Sequence, residues 1–179
     1  MSSRRIDPGT AAGVLEVDWP LFGELSRALA IKVARGFDPQ IIVGIATAGV
    51  IPGAVVAAIL DREFYSMIVS RTYRADTVRE KPAVLSEAPP EVYGRRVLVV
   101  DETCRSGDTL RLALSAVVNS GASEVRTAVC FRTGSYDPDF YALATDSAIE
   151  LPWDREVLVD GDLVLNPLYA HLLEEDDEL

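Results

Sequence analysis

The stretch Val97–Leu110, VLVVDETCRSGDTL, decides the reading of this 179-residue chain. Apolar residues Val97 to Val100 run straight into Asp101 and Glu102. Thr103, Cys104, Arg105, Ser106, Gly107, Asp108 and Thr109 follow at once. An unbroken apolar run reads as a strand buried on both faces, as in a parallel sheet. The two acids are then expected to emerge at its tip. Side by side they repel, unless a cation or hydroxyl donors lie beside them. Hydrated Mg²⁺ or the hydroxyls of a sugar suit such a pair. Downstream, the apolar spacing predicts a helix over 108–121. Its N-terminal amides make a ready cradle for an anion. Gly107 lets the backbone approach a ligand closely, while Ser106 and Thr109 add hydroxyls. A ligand with a diol at one end and a phosphate at the other, such as a ribose 5-phosphate, fits this turn.

The neighbouring segments supply the frame. IIVGIA (41–46), FYSMIV (64–69), VRTAVCF (125–131) and SAIEL (147–151) read as further strands. VIPGAVVAAIL (50–60) reads as a helix. Near the N-terminus Asp18 is placed to cap a helix starting at Trp19 and Pro20. There Phe22, Leu25, Leu29 and Val33 recur at helical spacing, and Gly36 closes the segment. Strands alternating with helices imply right-handed crossovers and a mainly parallel α/β sheet of about five strands, flanked by helices. Such sheets bind ligands at the carboxyl ends of their strands. Both unusual turns, after 46 and after 101, fall there. The stretch 71–94 is long, charged and Pro-containing. It is either a lid over the site or an added hairpin or linker.

Composition limits the function. Seventeen Lys and Arg against 28 Asp and Glu give a net charge of -11. That argues against a nucleic-acid or membrane-surface partner, since both polyanions would repel it. No apolar stretch reaches the ~18–20 residues of a membrane span, and the N-terminus carries no secretory pattern. Cys104 and Cys130 are too few for a disulfide framework or a zinc site, so a cytoplasmic location is expected. The single His171 reads as a surface helix residue. The expected organisation is one domain over 1–179, with a core at about 38–135, a small C-terminal hood at about 136–165 and an acidic tail at 174–179.

VLVVDETCRSGDT resembles the phosphoribosyl-pyrophosphate (PRPP) signature of type I phosphoribosyltransferases. By that resemblance Asp101 and Glu102 hold the ribose hydroxyls, and Mg²⁺ indirectly, through those hydroxyls or water. Arg105, Ser106, Gly107, Asp108 and Thr109 take the 5-phosphate. VGIATAGVIPG (43–53) resembles the family's pyrophosphate loop, where Ala46, Thr47, Ala48 and Gly49 offer backbone amides. SRTY (70–73) opens the region of the catalytic lid, with Tyr73 as a catalytic residue and Arg71, Arg74, Arg79 and Lys81 as lid cations. FRTGSYDPDFYALATDSAIELPWDREV (131–157) resembles the base-binding part of xanthine-guanine and other 6-oxopurine phosphoribosyltransferases. It implies Trp153 stacked on the base, Asp154 at the purine edge and Arg132 at the purine O6.

The resemblance thus implies the type I fold and an Mg²⁺-dependent transfer from PRPP to a nucleobase, a 6-oxopurine first, in purine salvage. The partners would be PRPP and the base, with a dimer or tetramer of this chain. Three positions depart from the pattern. Glu102 replaces a second Asp. Thr47 stands where the pyrophosphate loop commonly has a cation. Arg105 occupies the place of the Asp that serves 6-oxopurine enzymes as general base, and a guanidinium with a pKa above ~12 cannot accept a proton. A different base, or a PRPP- or nucleotide-binding regulator without catalysis, is the alternative these departures leave open.

Overall fold

Val97, Leu98, Val99 and Val100 are each fully buried. A strand covered on both faces and paired on both edges buries four successive side chains. The structure, a computed structural model, places them there. It describes residues 13–73, 77–167 and 169, and gives the backbone alone for 71–73 and 77–80. The side chains of Arg71, Tyr73, Arg74 and Arg79, and also His171 and the tail at 174–179, lie outside the described residues.

The elements in chain order are β1 (Val14–Glu16), α1 (Trp19–Gly36), β2 (Ile41–Ala46), α2 (Val50–Leu60), β3 (Glu63–Tyr73) and β4 (Thr77–Val84). After a 3₁₀ turn (Pro90–Val92) come β5 (Arg96–Cys104), α3 (Asp108–Asn119), β6 (Glu124–Arg132) and β7 (Phe140–Ala144), then β8 (Ala148–Glu150), β9 (Glu156–Val159) and β10 (Asp162–Leu165). Two compact units result. Glu24–Thr145 makes the first, and the described residues on either side of it make the second.

The first unit is a six-stranded sheet in the order β4-β3-β2-β5-β6-β7. Every pairing except β3–β4 is parallel. Ile41, Val43, Ile45, Val97, Val99 and Val129 form the core of one face, closed by Leu110, Ala113 and Val117 of α3. Helix α2 lies close to the sheet because glycines allow it. A Cβ on Gly44 would meet the Phe64 ring and the Gly49 carbonyl at 2.9 Å, and one on Gly53 would meet the same ring at 2.9 Å. Asp139 ties the start of β7 to β6, accepting from the Thr127 N–H and hydroxyl at 2.8 Å each. On the edge strand β7, Lys32 donates to the Tyr141 carbonyl at 2.8 Å.

Two expectations are corrected here, and one choice left open is decided. The main sheet has a sixth strand, and its last parallel strand is β7, not SAIEL. SAIEL forms β8, which pairs in parallel with β1 in the second unit. Ala148, Ile149 and Glu150 are all buried by that pairing. Because β7 joins β6, the expected hood cannot begin at 136. The second unit takes up after Thr145 and draws on residues before Glu24 as well. Of the readings left open for 71–94, the described residues show the added hairpin. The first part of the stretch completes a β3–β4 hairpin with a register shift between Ser70 and Thr72. Its second part is anchored by Leu85 N–H on the Ile68 carbonyl (2.8 Å) and by buried Val92.

The second unit contains the β1–β8 pair and an antiparallel β9–β10 hairpin. Asp160 and Gly161, both at positive φ, turn that hairpin. Asp18 caps α1 as expected, its carboxylate accepting from Leu21 N–H at 2.7 Å.

Candidate functional site

Strand β5 does not stop at the acids. On the β2 side its ladder ends at Gly44–Val100, but β6 runs on beside it as far as Cys104–Arg132. Asp101 and Glu102 are therefore strand residues, and the strand alternation sends them to opposite faces. Asp101 is half-buried, whereas Glu102 is 5% exposed. This corrects the expectation of two acids side by side at a strand tip. Asp101 is the open carboxylate, and it also accepts from the Glu102 N–H at 2.9 Å.

The loop 46–49 abuts the same point. A Cβ on Gly49 would come within 2.7 Å of the Val100 carbonyl and 2.8 Å of the Asp101 Cα. The Ala46–Thr47 peptide is cis. Thr47 is exposed, and Gly49 caps α2 without any side-chain hydrogen bond. The loop thus brings backbone beside Asp101 but no cation.

Beyond β5 the chain turns at Gly107, the N-cap of α3, with φ at 77°. A Cβ there would lie 2.3 Å from the Tyr136 ring, so only glycine suits both the dihedral and the space. The residues after β6 fold over this turn. Thr133 N–H donates to the Cys104 carbonyl at 2.8 Å and Tyr136 N–H to the Arg105 carbonyl at 3.3 Å. Within the turn the Ser106 hydroxyl donates to Asp108 Oδ2 at 3.0 Å. Arg111 Nη1 donates to the Ser106 carbonyl at 3.1 Å and lies 3.5 Å from Asp108 Oδ1. The Arg111 guanidinium sits 4.6 Å from the Tyr136 ring centre. The sequence reading passes over both Tyr136 and Arg111. Nothing in their spacing marks them, because the strand pairing of β5 with β6 brings them together.

Arg132 ends β6. It donates to the Tyr136 carbonyl at 3.2 Å, pairs with Asp137 at 3.5 Å and lies 5.4 Å from the Tyr141 ring centre. The two thiols are not nucleophiles. Burial, then the charge of Asp101, pushes Cys104 up to about 11, and burial, then Glu102, pushes Cys130 up to about 12. Both stay protonated at neutral pH.

Trp153 and Asp154 belong to the second unit. Trp153 stands edge-on to Phe22 (centroids 4.9 Å apart, 82°) and tilted to Trp19 (5.9 Å, 47°). Among the described residues its buried indole N–H has no hydrogen-bond partner. Asp154 Oδ1 accepts from Leu151 N–H at 3.2 Å and from the Tyr169 hydroxyl at 3.1 Å. That carboxylate oxygen thus joins the 151–154 turn to Tyr169. Among the described residues no group of three or more His, Cys, Asp or Glu side chains is placed to hold a metal ion. No helix among them is long and apolar enough to cross a membrane.

A mainly parallel sheet, two successive acids on a central strand and a glycine turn capping the next helix define a phosphoribosyltransferase-type domain. Residues 17–159 match the phosphoribosyl transferase domain family, and the chain belongs to that family. A purine phosphoribosyltransferase from Pyrococcus horikoshii is 27% identical, with a TM-score of 0.69 over 82% of this chain and 98% of that one. At 22% identity a hypothetical protein from Neisseria gonorrhoeae with bound ppGpp shares the fold, with a TM-score of 0.68 over 92% of this chain and 97% of that one. So does the xanthine-guanine-hypoxanthine phosphoribosyltransferase of Helicobacter pylori, at 18% identity and 0.65, over 78% and 93%. The transcriptional regulator GfcR of Archaeoglobus fulgidus is 30% identical over 92 residues, 51% of this chain. The chain spans about half the length of that curated relative, 47%.

Proposed function

We propose that the chain transfers a phosphoribosyl group from PRPP to a nucleobase, a 6-oxopurine first, giving a nucleoside 5′-monophosphate and pyrophosphate. One observation carries the reading. An acid half-open on the central strand is followed within a few residues by a glycine-capped helix N-terminus, in a chain of this family. Asp101 would hold the ribose hydroxyls and stabilise positive charge developing on the sugar, with buried Glu102 in a supporting role. The Ser106–Thr109 turn would anchor the 5-phosphate through its amides. The 46–49 backbone would face the pyrophosphate.

The donor set suits Mg²⁺. That ion keeps several waters and is held by one or two carboxylates together with substrate oxygens, so a three-ligand protein cluster is not required. Asp101 would be its nearest protein partner, directly or through the ribose. Bound there, the ion would supply neutralising charge to the leaving pyrophosphate. Tyr73 would act from the β3–β4 hairpin, Trp153 would stack on the base, Asp154 would meet the purine edge and Arg132 would approach O6. A dimer or tetramer is proposed with them.

A second reading has specific support. Arg105 cannot serve as the general base, Thr47 leaves the pyrophosphate loop uncharged, and one relative carries the name of a transcriptional regulator. The chain would then bind PRPP or a nucleotide without turnover. Pyrophosphate release from PRPP, assayed with Mg²⁺ and a panel of nucleobases, decides. Turnover with a purine supports the enzyme, and binding without turnover across the panel supports the regulator. In either case Asp101→Asn should weaken PRPP binding more than Glu102→Gln does. Wild-type binding in both variants would refute the ribose role.

A further inference from the structure

A phosphate-binding turn is expected to lack negative charge, yet this one contains Asp108. The geometry explains how the charge is tolerated. Asp108 Oδ2 accepts from the Ser106 hydroxyl at 3.0 Å, and Oδ1 lies 3.5 Å from the Arg111 guanidinium. Both are donors that an incoming phosphate would want. Arg111 is the cation that these contacts show, and it is 59% exposed, so water and ligand reach it. Nor is it free to wander. Its Nη1 donates to the Ser106 carbonyl at 3.1 Å, and its Cζ lies over the Tyr136 ring, 4.6 Å from the centre. Tyr136 is itself seated on Gly107, where an added Cβ would lie 2.3 Å from its ring carbons, and its N–H is tied to the Arg105 carbonyl. Gly107, the aromatic ring and the guanidinium are therefore joined in turn, the ring lying against the glycine and the guanidinium over the ring.

We infer that Arg111, braced on Tyr136, is the side-chain cation that meets the substrate's 5-phosphate, and that Asp108 is a resident anion holding the empty turn until the phosphate takes over its donors. The inference rests on the PRPP reading of the turn. When phosphate arrives, the Ser106 hydroxyl and the Arg111 guanidinium exchange one anionic partner for another. The guanidinium fork suits that exchange, because it engages carboxylate and phosphate with the same geometry. Asp108 then faces a like charge, and this costs affinity. The arrangement trades tight holding for a turn that stays ordered when empty. It also supplies at the 5-phosphate a positive charge that Thr47 does not supply at the pyrophosphate loop.

Calorimetric titration of the full chain with ribose 5-phosphate, and with PRPP plus Mg²⁺, tests this. Arg111→Gln should weaken both ligands about tenfold, about 1.4 kcal/mol. Tyr136→Leu should weaken both by a smaller factor, and Tyr136→Phe, which keeps the ring, should restore wild-type affinity. Asp108→Asn should tighten both, a direction that mere damage to the turn would not produce. Arg111→Gln with unchanged affinity for both ligands, or Asp108→Asn that weakens them, overturns the inference while leaving the parent reading standing. A wild-type chain that binds neither ligand overturns the parent reading and this inference together. Melting temperatures measured alongside separate lost binding from lost folding.

Discussion

Replacing Gly107 with Ala probes the joint between α3 and the residues after β6. Two costs add at this position. The backbone is at φ 77°, the left-handed region, where a Cβ costs about 1–2 kcal/mol. The methyl would also lie 2.3 Å from Cγ and Cδ2 of Tyr136, so the ring must retreat by about 1 Å to reach ordinary contact. Those atoms are at the root of the ring, and the Tyr136 N–H is bonded to the Arg105 carbonyl, so the loop must shift with it. Overpacking of this kind costs about 1–3 kcal/mol. The sum, about 2–5 kcal/mol, should lower the melting temperature by roughly 2–4 °C for each kcal/mol. A double-mutant cycle with Tyr136→Ala separates the terms. Removing the ring relieves the clash and leaves the dihedral cost, so the double variant should recover about 1–3 kcal/mol relative to the sum of the singles. Thermal or urea unfolding of the four proteins gives the answer. Strict additivity would show that Tyr136 does not sit on Gly107, and the stack built on that contact would go with it.

Two further expectations concern pH. Burial pushes the Asp139 carboxyl up, but hydrogen bonds from the Thr127 N–H and hydroxyl and from Arg126 outweigh it and hold the group below its ordinary range. Its contribution is present above the unfolded value, near ~3.9, and is lost as pH falls through the lower folded value. Asp139→Asn should therefore destabilise the protein at pH 7, with the deficit shrinking below pH ~4 in urea unfolding across pH 2.5–7; a constant deficit would contradict the assignment. For Glu150, burial raises the carboxyl, Arg155 opposes this, and Glu16 and Asp154 add to the rise. That contribution is present at low pH and is lost as pH climbs from ~4.3 through the folded value. Glu150→Gln should thus gain on the wild type between pH 4 and 7. A gap that stays flat over that range would mean that Glu150 is not held against its charge.

Much of the frame is legible in the residues because burial on both faces leaves an unmistakable record. The runs 41–46, 96–100 and 125–131 have no alternation to confuse, and α2 and α3 follow them at the spacing that crossovers need. The edges are harder to read. FYALA in β7 is half-buried and short, so it carries no period strong enough to separate it from a loop. SAIEL is apolar enough to be a sheet strand, and only its pairing with β1 reveals otherwise. The end of β5 fails for a related reason. Asp and Glu argue for a strand terminus by propensity, but β6 offers ladder partners to Cys104 and tertiary pairing wins. At the candidate site the acids and the glycine turn stand out because they are contiguous. Arg111 and Tyr136 do not, because their meeting depends on which strand lies beside β5.

The parallel bond between β1 and β8 has a temporal meaning. A ribosome delivers β1 before the sheet of Glu24–Thr145 and β8 only after that entire sheet has emerged. The sheet is therefore able to collapse during synthesis, while Val14 to Glu16 wait unpaired for a mate made after it. Closing that long circuit costs loop entropy that nearby strands escape. Slow maturation of the smaller unit, after the larger one has already set, is the order in which this polypeptide is expected to assemble.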